Sequence, residues 1–165
     1  MSNAAVDKQV LSTLKDCAVF AVLDNTGLEK LASSIIVKQY DAGTTIFKAE
    51  DSANEFFVIQ EGKVALQTVL KKESQVSRRI TVDTATRNEI VGWSAIVEPY
   101  VYTLTAVCVQ NVKLLSINGI KLRQLLQDNH DIGFGVLKEV IKVVASRLED
   151  TRQLLISERM LTPIL

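Results

Sequence analysis

The sequence predicts a mainly β protein with flanking helices. Between residues 35 and 115, short β-branched or aromatic runs alternate with turn residues. Strands of this kind at spacings of roughly 8–12 residues are typical of a sandwich or barrel. Helical periodicity precedes this region and returns after Asn118 and Gly119. The 165-residue chain is long enough for about one domain with a substantial core.

Seven runs of the β region are examples of the predicted strands. They span residues 34–40, 45–48, 56–60, 63–70, 79–83, 102–109 and 112–117. Gly43 and Gly62 lie where tight corners need a positive φ. The polar residues 71–78 are expected to form the exposed tip of a hairpin.

Four helical segments flank the strands. The first covers residues 6–14, the second follows Asn25-Thr26-Gly27, and a third carries Leu122, Leu125 and Leu126. The fourth, residues 132–159, is the longest and contains no proline.

Apolar residues of the longest helix recur at alternating spacings of four and three, as in a heptad seam. This pattern predicts a dimer interface formed by Leu137, Ile141, Val144, Leu148, Thr151 and Leu155. A second apolar set, which would pack on the β domain, consists of Val136, Val140, Val143 and Ala145. The alternative is a helix wholly buried against its own domain. We favour a homodimer, because about 28 residues of helix span roughly 40 Å, more than a small barrel can cover.

Composition and charge exclude several classes of protein. Nineteen basic and nineteen acidic residues cancel, so no nucleic-acid binding is expected from this chain alone. No apolar run reaches the roughly 18 residues of a membrane span, and no signal peptide opens the chain. A cytoplasmic location without membrane association is therefore expected. Cys17 and Cys108 cannot build a disulfide framework, and Cys108 lies in an apolar run typical of a buried thiol.

No residue pattern indicates catalysis or a metal site. The only histidine, His130, is expected to be exposed at the start of the longest helix. A metal site in a barrel needs several converging histidines or carboxylates, and an iron–sulfur cluster needs about four cysteines. No serine or cysteine has a histidine at a spacing that suggests nucleophilic catalysis. The chain is therefore predicted to be no enzyme.

Two segments resemble the cyclic-nucleotide-binding domain family. Residues 42–64 contain Ala-Gly, Ile-Phe, a polar turn and an aromatic-aliphatic run that ends in Gly-x-Val. Residues 88–106 resemble the phosphate-binding cassette, where Gly-Glu-Leu/Ile starts a short helix and Arg-Ala/Ser-Ala-Thr follows. Residues 92–95 (Gly-Trp-Ser-Ala) and 147–155 are similar to the Crp/Fnr group. Over roughly residues 20–157, the resemblance implies an eight-stranded double-stranded β-helix, or jelly roll, with N-terminal helices and a long C-terminal dimerisation helix.

The chain departs from the family pattern at several places. Asn88 stands at the glycine position, the glutamate is kept as Glu89, and Tyr102 stands at the arginine position. Glu50 replaces a usual turn glycine, so that corner is expected to be built differently. The winged helix-turn-helix of Crp/Fnr regulators does not follow the long helix in this sequence.

The resemblance implies a set of candidate ligand-binding residues, namely Glu89, Ile90, Ser94, Tyr102 and Thr103. In the family, amides at the start of the short helix and one arginine hold the cyclic phosphate, while the glutamate accepts a hydrogen bond from the ribose 2′-OH. The neutral Tyr102 cannot replace an arginine, and residues 88–112 contain no lysine or arginine. Arg87 is expected outside the pocket, and Arg78 and Arg79 would reach it only if the hairpin folds over its mouth.

Plainer interpretations remain open for Glu89, Tyr102 and Thr151. Glu89 can cap the short helix instead of contacting ribose. Tyr102 can fill the vacated pocket, which we favour over a ligand contact. Thr151 falls where related regulators approach the nucleotide base, but its place on the seam favours a core position.

These observations predict a homodimeric regulatory module that senses a small ligand in the β-roll pocket with weak or altered nucleotide specificity. The ligand would be cyclic AMP, cyclic GMP or another small anion. The alternatives are a ligand-free protein-interaction module and the sensor fragment of a Crp/Fnr-type transcription regulator. The expected organisation is a leftover of the expression vector (1–4), a helical lead-in (5–34), the β-roll (35–118) and C-terminal helices (119–165).

Overall fold

Eight strands in two antiparallel sheets build the centre of the molecule. The computed structural model describes residues 3–72 and 75–161, and it describes side chains at 8–69 and 79–157. The strands are β1 Ile36–Tyr40, β2 Thr45–Phe47, β3 Glu55–Glu61, β4 Val64–Lys72, β5 Gln75–Ala85, β6 Ile90–Val91, β7 Thr105–Cys108 and β8 Val112–Asn118. One sheet has the order β1-β8-β3-β6 and the other β2-β7-β4-β5. The predicted mainly β fold with flanking helices is confirmed.

The apolar residues of the strands divide between two cores. One core contains Phe57, Ile59, Leu66 and Leu114, all nearly or fully buried. The opposite face of β3 points to a second core, because successive side chains of a strand alternate between its faces. There Phe56 lies edge-on to Phe20 at 5.6 Å between ring centroids.

Four helices cover this second core: α1 Asn3–Asp16, α2 Asn25–Ala32, α3 Gly119–Asp128 and α4 His130–Leu161. Asp24 caps α2 by accepting a hydrogen bond from the amide of Gly27 at 2.7 Å. Asn118 caps α3 in the same way through the amide of Lys121 at 3.1 Å. Such side-chain caps satisfy amides that have no partner inside the helix. His130 is exposed at the first position of α4, as predicted.

The strand predictions are correct in type but wrong in several bounds. The two-residue strand β6 is missing from the prediction. The expected exposed tip at 71–78 is too long, because β4 continues to Lys72 and β5 resumes at Gln75. The last paired strand before β8 starts at Thr105, so Tyr102 lies ahead of it. Helix α1 includes residues 3 and 4 of the segment interpreted as a vector leftover, while residues 1–2 are outside the described part of the chain.

Left-handed backbone conformations form the corners. Gly43 and Gly62 have φ values of 84° and 97°, which confirms their prediction. A Cβ on Gly62 would also come within 2.4 Å of the carbonyl oxygen of Asn111. Glu50 has a φ of 73°, so its corner keeps a glycine-like conformation. The expectation of a differently built corner is therefore wrong.

Helix α4 has one face on the domain and one face in solvent. Val136 and Val140 are buried, and Val143 and Val144 pack against the same core. Of the predicted seam, Leu137, Ile141, Leu148 and Leu155 are exposed and Thr151 is half-buried, while Ala145 of the second set is also exposed. Within the described ranges, no helix combines the length and the apolar character that a bilayer span requires.

Candidate functional site

The cassette segment forms a turn, the strand β6 and a single turn of 3₁₀ helix. Gly92 precedes this helix, Trp93–Ile96, with a φ of 79°. A Cβ on Gly92 would lie 3.0 Å from the carbonyl oxygen of Glu55, so a side chain does not fit there without a shift. The predicted position of the short helix, starting near Glu89, is wrong because β6 intervenes. The helix instead begins at Trp93, directly after Gly92.

Asn88 and Glu89 form a turn before β6. Asn88 has a φ of 67°, a conformation that asparagine tolerates better than most residues. The carboxylate of Glu89 accepts hydrogen bonds from the amide and the hydroxyl of Thr86 at 2.6 and 3.0 Å. Glu89 is exposed and stabilises this turn in the described conformation. It does not cap the short helix, contrary to the plainer interpretation of this residue.

Tyr102 is an integral part of the core. Its ring is 5% exposed and stacks on Phe47 at 3.9 Å between centroids. Its hydroxyl donates to the carbonyl oxygen of Glu55 at 2.7 Å and accepts from the amide of the same residue at 3.3 Å. Burial, together with the carboxylates of Glu55 and Asp51, raises the pKa of Tyr102 to about 12, against a smaller lowering effect of its hydrogen bond. The side chain is therefore neutral and fully engaged with the β-roll.

A small cavity, here called the cassette pocket, lies between the cassette helix and the β-roll. Its walls include Phe47, Trp93, Ser94, Tyr102 and Thr103, and its volume is about 20 Å³. That volume holds about one water molecule, whereas small-molecule sites typically enclose about 300–1,000 Å³. In this conformation the pocket is closed to a nucleotide.

Arg147 of helix α4 closes the same pocket from the outside. Its Nε atom forms an ion pair with the Asp83 carboxylate at 2.6 Å, and its Nη2 donates to the carbonyl oxygen of Ile90 at 2.8 Å. Its guanidinium carbon lies 4.8 Å from the centroid of the Trp93 ring, within the range of a cation–π interaction. The remaining nitrogen, Nη1, is buried without a hydrogen-bond partner among the described residues. Burial lowers the pKa of Arg147, while Asp83 and Glu89 act in the opposite direction.

A wider cavity, here called the helix cavity, lies on the other side of Arg147 and has a volume of about 380 Å³. It is bounded by α4, the end of β5, the turn before β6 and the residues that follow α1. Glu89 and Ile90 line this cavity and not the cassette pocket. The structure thus brings Ser94, Tyr102 and Thr103 together and separates the other two candidates from them.

An open groove of about 630 Å³, here called the outer groove, adjoins Tyr102 and Thr103 on the surface of the β-roll. Lys48 and Arg79 both line it, together with Glu50. Arg79 therefore lies near the end of the cassette, although outside the closed pocket. The side chain of Arg78 is outside the described part of the structure.

Arg147 and Trp93 are the two site residues that sequence reasoning missed. The spacing of Val136, Val140, Val143 and Arg147 is 4-3-4, which puts the arginine on the apolar, domain-facing side of α4. A charge in that row was a usable signal, because a buried cation needs a partner. Trp93 is the only tryptophan of the chain.

The part of the chain that the structure describes indicates neither a metal site nor a reactive thiol. Among the described residues, no three histidine, cysteine, aspartate or glutamate side chains are arranged to hold a metal ion. Cys17 and Cys108 are both buried, as predicted for Cys108, and burial raises the pKa of both thiols. A raised pKa reduces the thiolate fraction on which reactivity depends.

Comparisons with known proteins agree with this architecture. The family model of the cyclic nucleotide-binding domain matches residues 37–129, more than half of the chain. A protein from Geobacter metallireducens GS-15, described as cyclic nucleotide-binding, is 28% identical with a TM-score of 0.71, and the match covers 83% of this chain and 96% of that one. No curated protein matches this sequence.

Two further solved structures share the fold at lower identity. A cyclic nucleotide-binding domain from Methylobacillus flagellatus KT has a TM-score of 0.76 at 14% identity, over 93% of this chain and 84% of that one. The sensor domain of the transcriptional regulator DNR from Pseudomonas aeruginosa has a TM-score of 0.70 at 16% identity, over 87% and 94%. The two sheets, the cassette turn and the family match lead to one conclusion: this chain belongs to the cyclic nucleotide-binding domain family.

Proposed function

We propose that this chain is a non-enzymatic, homodimeric regulatory domain that senses a small ligand in its β-roll and transmits the signal through helix α4. Its specificity for cyclic nucleotides is weak or altered. The proposed organisation is a helical lead-in at 5–34, the β-roll at 35–118 and the C-terminal helices at 119–165, and a cytoplasmic location remains a prediction. The observation that carries the proposal is the position of Arg147, a residue of α4 that forms part of the cassette pocket.

The proposed ligand site is the cassette pocket with Ser94, Tyr102 and Thr103. A ligand must open the pocket before it binds, because its present volume is about 20 Å³. When the binding-competent state is rare, the apparent affinity falls by the fraction of molecules in that state. Tyr102 adds no positive charge, and loss of a charge-assisted hydrogen bond costs about 1.5–3 kcal/mol. We therefore expect weak binding of cyclic AMP or cyclic GMP, or a preference for a more compact anion.

Arg147 couples the pocket to the long helix in this proposal. An anion in the cassette pocket competes with Asp83 for the guanidinium, and any shift of Arg147 changes how α4 sits on the β-roll. A ligand shifts a conformational equilibrium only through different affinities for its two states. Competition for Arg147 supplies such a difference.

The exposed face of α4 supports the homodimer. Phe134, Ile141, Leu148 and Leu155 recur every seven residues and are 71%, 65%, 68% and 57% exposed. A row of large apolar side chains with this period is typical of a helix that packs along a parallel copy of itself. Phe134 extends the seam that the sequence predicted by a further turn.

The position of Tyr102 in the pocket supports a second candidate function, that of a ligand-free protein-interaction module. Its ring and hydroxyl fill the space of the pocket and satisfy the backbone of Glu55. A third candidate is the sensor part of a transcription regulator, because similar folds include the sensor domain of such a regulator. This third candidate shares the ligand site and the dimer helix of the first.

The test is a calorimetric titration of cyclic AMP, cyclic GMP and inorganic phosphate into protein freed of small molecules by unfolding and refolding. Fluorescence of Trp93 gives a second readout at the pocket itself. We expect weak binding that changes the fluorescence emission of Trp93. We also expect the Arg147→Gln substitution to change the affinity of this binding. Arg152→Gln is the matched control, because Arg152 lies on the same helix and pairs with Glu149 in solvent. Absence of heat and of any fluorescence change at millimolar concentration of all three compounds would favour the ligand-free module.

A further inference from the structure

Both C-terminal helices hold the cassette, each through one arginine. Arg147 of α4 binds the carbonyl oxygen of Ile90. Arg123 of α3 binds the cassette helix, residues 93–96, through a hydrogen bond of 2.5 Å from Nη1 to the carbonyl oxygen of Ala95. The carbonyls of the last turn of a helix have no partner inside it, so Arg123 supplies a donor that this helix itself lacks. The proposed function assigns a role to Arg147 alone.

Arg123 makes a second contact with the cassette, on the loop that follows the short helix. Its guanidinium carbon lies 4.1 Å from the centroid of the Tyr100 ring, well within the range of a cation–π interaction. The side chain of Arg123 is half-buried between these two contacts. One residue of α3 thus fixes both ends of the segment from Ala95 to Tyr100.

This segment is strained at Tyr100. The residue has a φ of 58°, which is disfavoured for a bulky side chain. Its carbonyl oxygen accepts a hydrogen bond from the amide of Ala53 at 2.7 Å, and its own amide donates to the carbonyl oxygen of Val97 at 3.0 Å. Strained backbone persists only where the surrounding contacts hold it. Arg123 supplies one of these contacts, so its removal favours another conformation of the loop.

Helix α3 also packs tightly on the cassette helix at its own first residue. The amide of Gly119 donates to the carbonyl oxygen of Asn54 at 2.8 Å. A Cβ on Gly119 would lie 3.0 Å from the carbonyl oxygen of Ala95 and 3.1 Å from its Cβ. Ala95 itself is fully buried. Displacement of the cassette helix therefore breaks contacts with α3 as well as the contact with Arg147.

We propose that Arg123 is a positioning residue that keeps the cassette helix closed, and that the cassette pocket opens only when Arg123 releases Ala95 and Tyr100. This proposal deepens the proposed function and rests on it for the place of the ligand site, but the closure itself is a property of the free protein. The closed pocket has a volume of about 20 Å³, so opening must precede binding. Loss of Arg123 raises the fraction of open molecules and, by the same factor, the apparent affinity of a ligand.

Amide hydrogen exchange of the free protein tests the closure without any ligand. The amides of Ala95 and Val97 form hydrogen bonds within the cassette, so their exchange reports its opening. In the wild type they should exchange faster than the amides of β8, because a local opening exposes them before the whole domain unfolds. We expect Arg123→Met, which keeps much of the aliphatic stem, to exchange them at least about fivefold faster, since a charged donor is lost. Arg123→Lys keeps a cation and should exchange them more slowly than Arg123→Met.

Two variants are matched controls. Lys121→Met makes the same substitution at an exposed position of α3 and should leave the exchange of the cassette unchanged. Leu28→Val weakens the buried core under α2 and should accelerate exchange in β8 but not in the cassette. The proposal is overturned if Arg123→Met does not accelerate the cassette amides. It is also overturned if these amides exchange only as slowly as those of β8, because the pocket then opens only by global unfolding.

Calorimetric titration separates this proposal from the proposed function. Under the proposed function, Arg123→Met should bind cyclic AMP, cyclic GMP or inorganic phosphate more tightly than the wild type, by about the factor seen in exchange. If none of the three compounds binds either protein while the exchange result holds, the proposed function fails and the role of Arg123 stands. Unchanged exchange overturns the role of Arg123, whatever the titration shows.

Discussion

Arg147 and Asp83 join the long helix to the β-roll through an ion pair of 2.6 Å between Nε and Oδ2. Their side chains are only 12% and 20% exposed, and the two residues are 64 positions apart in the chain. The contact is shielded from water on one side by the Trp93 ring. The ion pair therefore links α4 to β5, and the hydrogen bond from Nη2 of Arg147 to the carbonyl oxygen of Ile90 links the same side chain to the cassette.

Replacing either partner of this pair should destabilise the protein. We expect Arg147→Gln to lower the free energy of unfolding by about 2–3 kcal/mol, because it leaves a mostly buried carboxylate without its cation. Asp83→Asn should act similarly, and the double variant should lose less than the sum of both. Urea unfolding of the three variants measures the coupling energy. Arg152→Gln, which removes an exposed ion pair of the same helix, should cost no more than about 0.5 kcal/mol. Strictly additive losses would show that the pair contributes nothing.

Tyr102→Phe tests the hydroxyl that binds the backbone of Glu55. The variant keeps the stack on Phe47 but leaves a buried carbonyl without its donor, so we expect a loss of about 1–3 kcal/mol in the free energy of unfolding. Tyr100→Phe is the matched control and should change the stability by less than about 0.5 kcal/mol, since no hydrogen bond of its hydroxyl is found among the described residues. Chemical denaturation compares the two. Equal effects would mean that the Glu55 contact is energetically unimportant.

Alkaline pH should lower the free energy of unfolding through ionisation of Tyr102. The pKa of Tyr102 is raised to about 12 in the folded state, against about 10 in an unfolded chain. A raised pKa means that the stabilisation is fully present below pH 10 and is lost as the pH rises from about 10 through 12. The wild type should lose about 2 kcal/mol more than Tyr102→Phe over this window, because only the wild type carries the hydroxyl. Parallel stability curves for the two proteins would contradict the assignment.

The exposed row of α4 should control the oligomeric state under the proposed function. We expect Ile141→Glu or Leu148→Glu to convert a dimer to a monomer in sedimentation velocity, because a charge would be buried in an apolar seam. Gln153→Glu introduces the same charge at an exposed position outside the row and should leave the dimer intact. A wild-type protein that is monomeric at micromolar concentration would refute the dimer.

Glu50 offers a test of backbone strain. Its φ of 73° is disfavoured for a residue with a Cβ, and the side chain is exposed. Glu50→Gly should therefore raise the free energy of unfolding by about 0.5–1 kcal/mol, after allowing for the larger entropy loss of glycine. Glu50→Ala retains the Cβ and should bring no gain. Thermal unfolding of both variants decides between relief of strain and a mere effect of charge.

Local patterns in the sequence were sufficient for most of the secondary structure. Strands β1 to β5, β7 and β8 have enough β-branched and aromatic residues to be recognised, and residues 132–159 match α4 closely. Strand β6 was not predicted, because a strand of two residues cannot show an alternating pattern. Strands β4 and β5 were predicted too short, because the polar residues between them were assigned to the hairpin tip. Polar residues also occur within strands that have one face in solvent.

The candidate site was harder to predict, because its parts come from distant places in the chain. Ser94, Tyr102 and Thr103 were found from a motif. The short helix was predicted to start near Glu89, but strand β6 lies between Glu89 and that helix. Nothing near residues 88–112 indicates that the cation at the pocket is Arg147. Its position on the apolar row of α4 was the one available signal.

The sequence by itself determined the fold class, the family and the long helix, since these depend on periodicity, turn residues and short motifs that lie within a few residues of one another. Only the tertiary structure decided what occupies the cassette. The stacking of Tyr102 on Phe47, the closing of the pocket by Arg147 and the separate cavity behind it all depend on contacts between residues more than forty positions apart. Such contacts form when elements pack, and packing is set by the shape and burial of the whole core rather than by any local pattern.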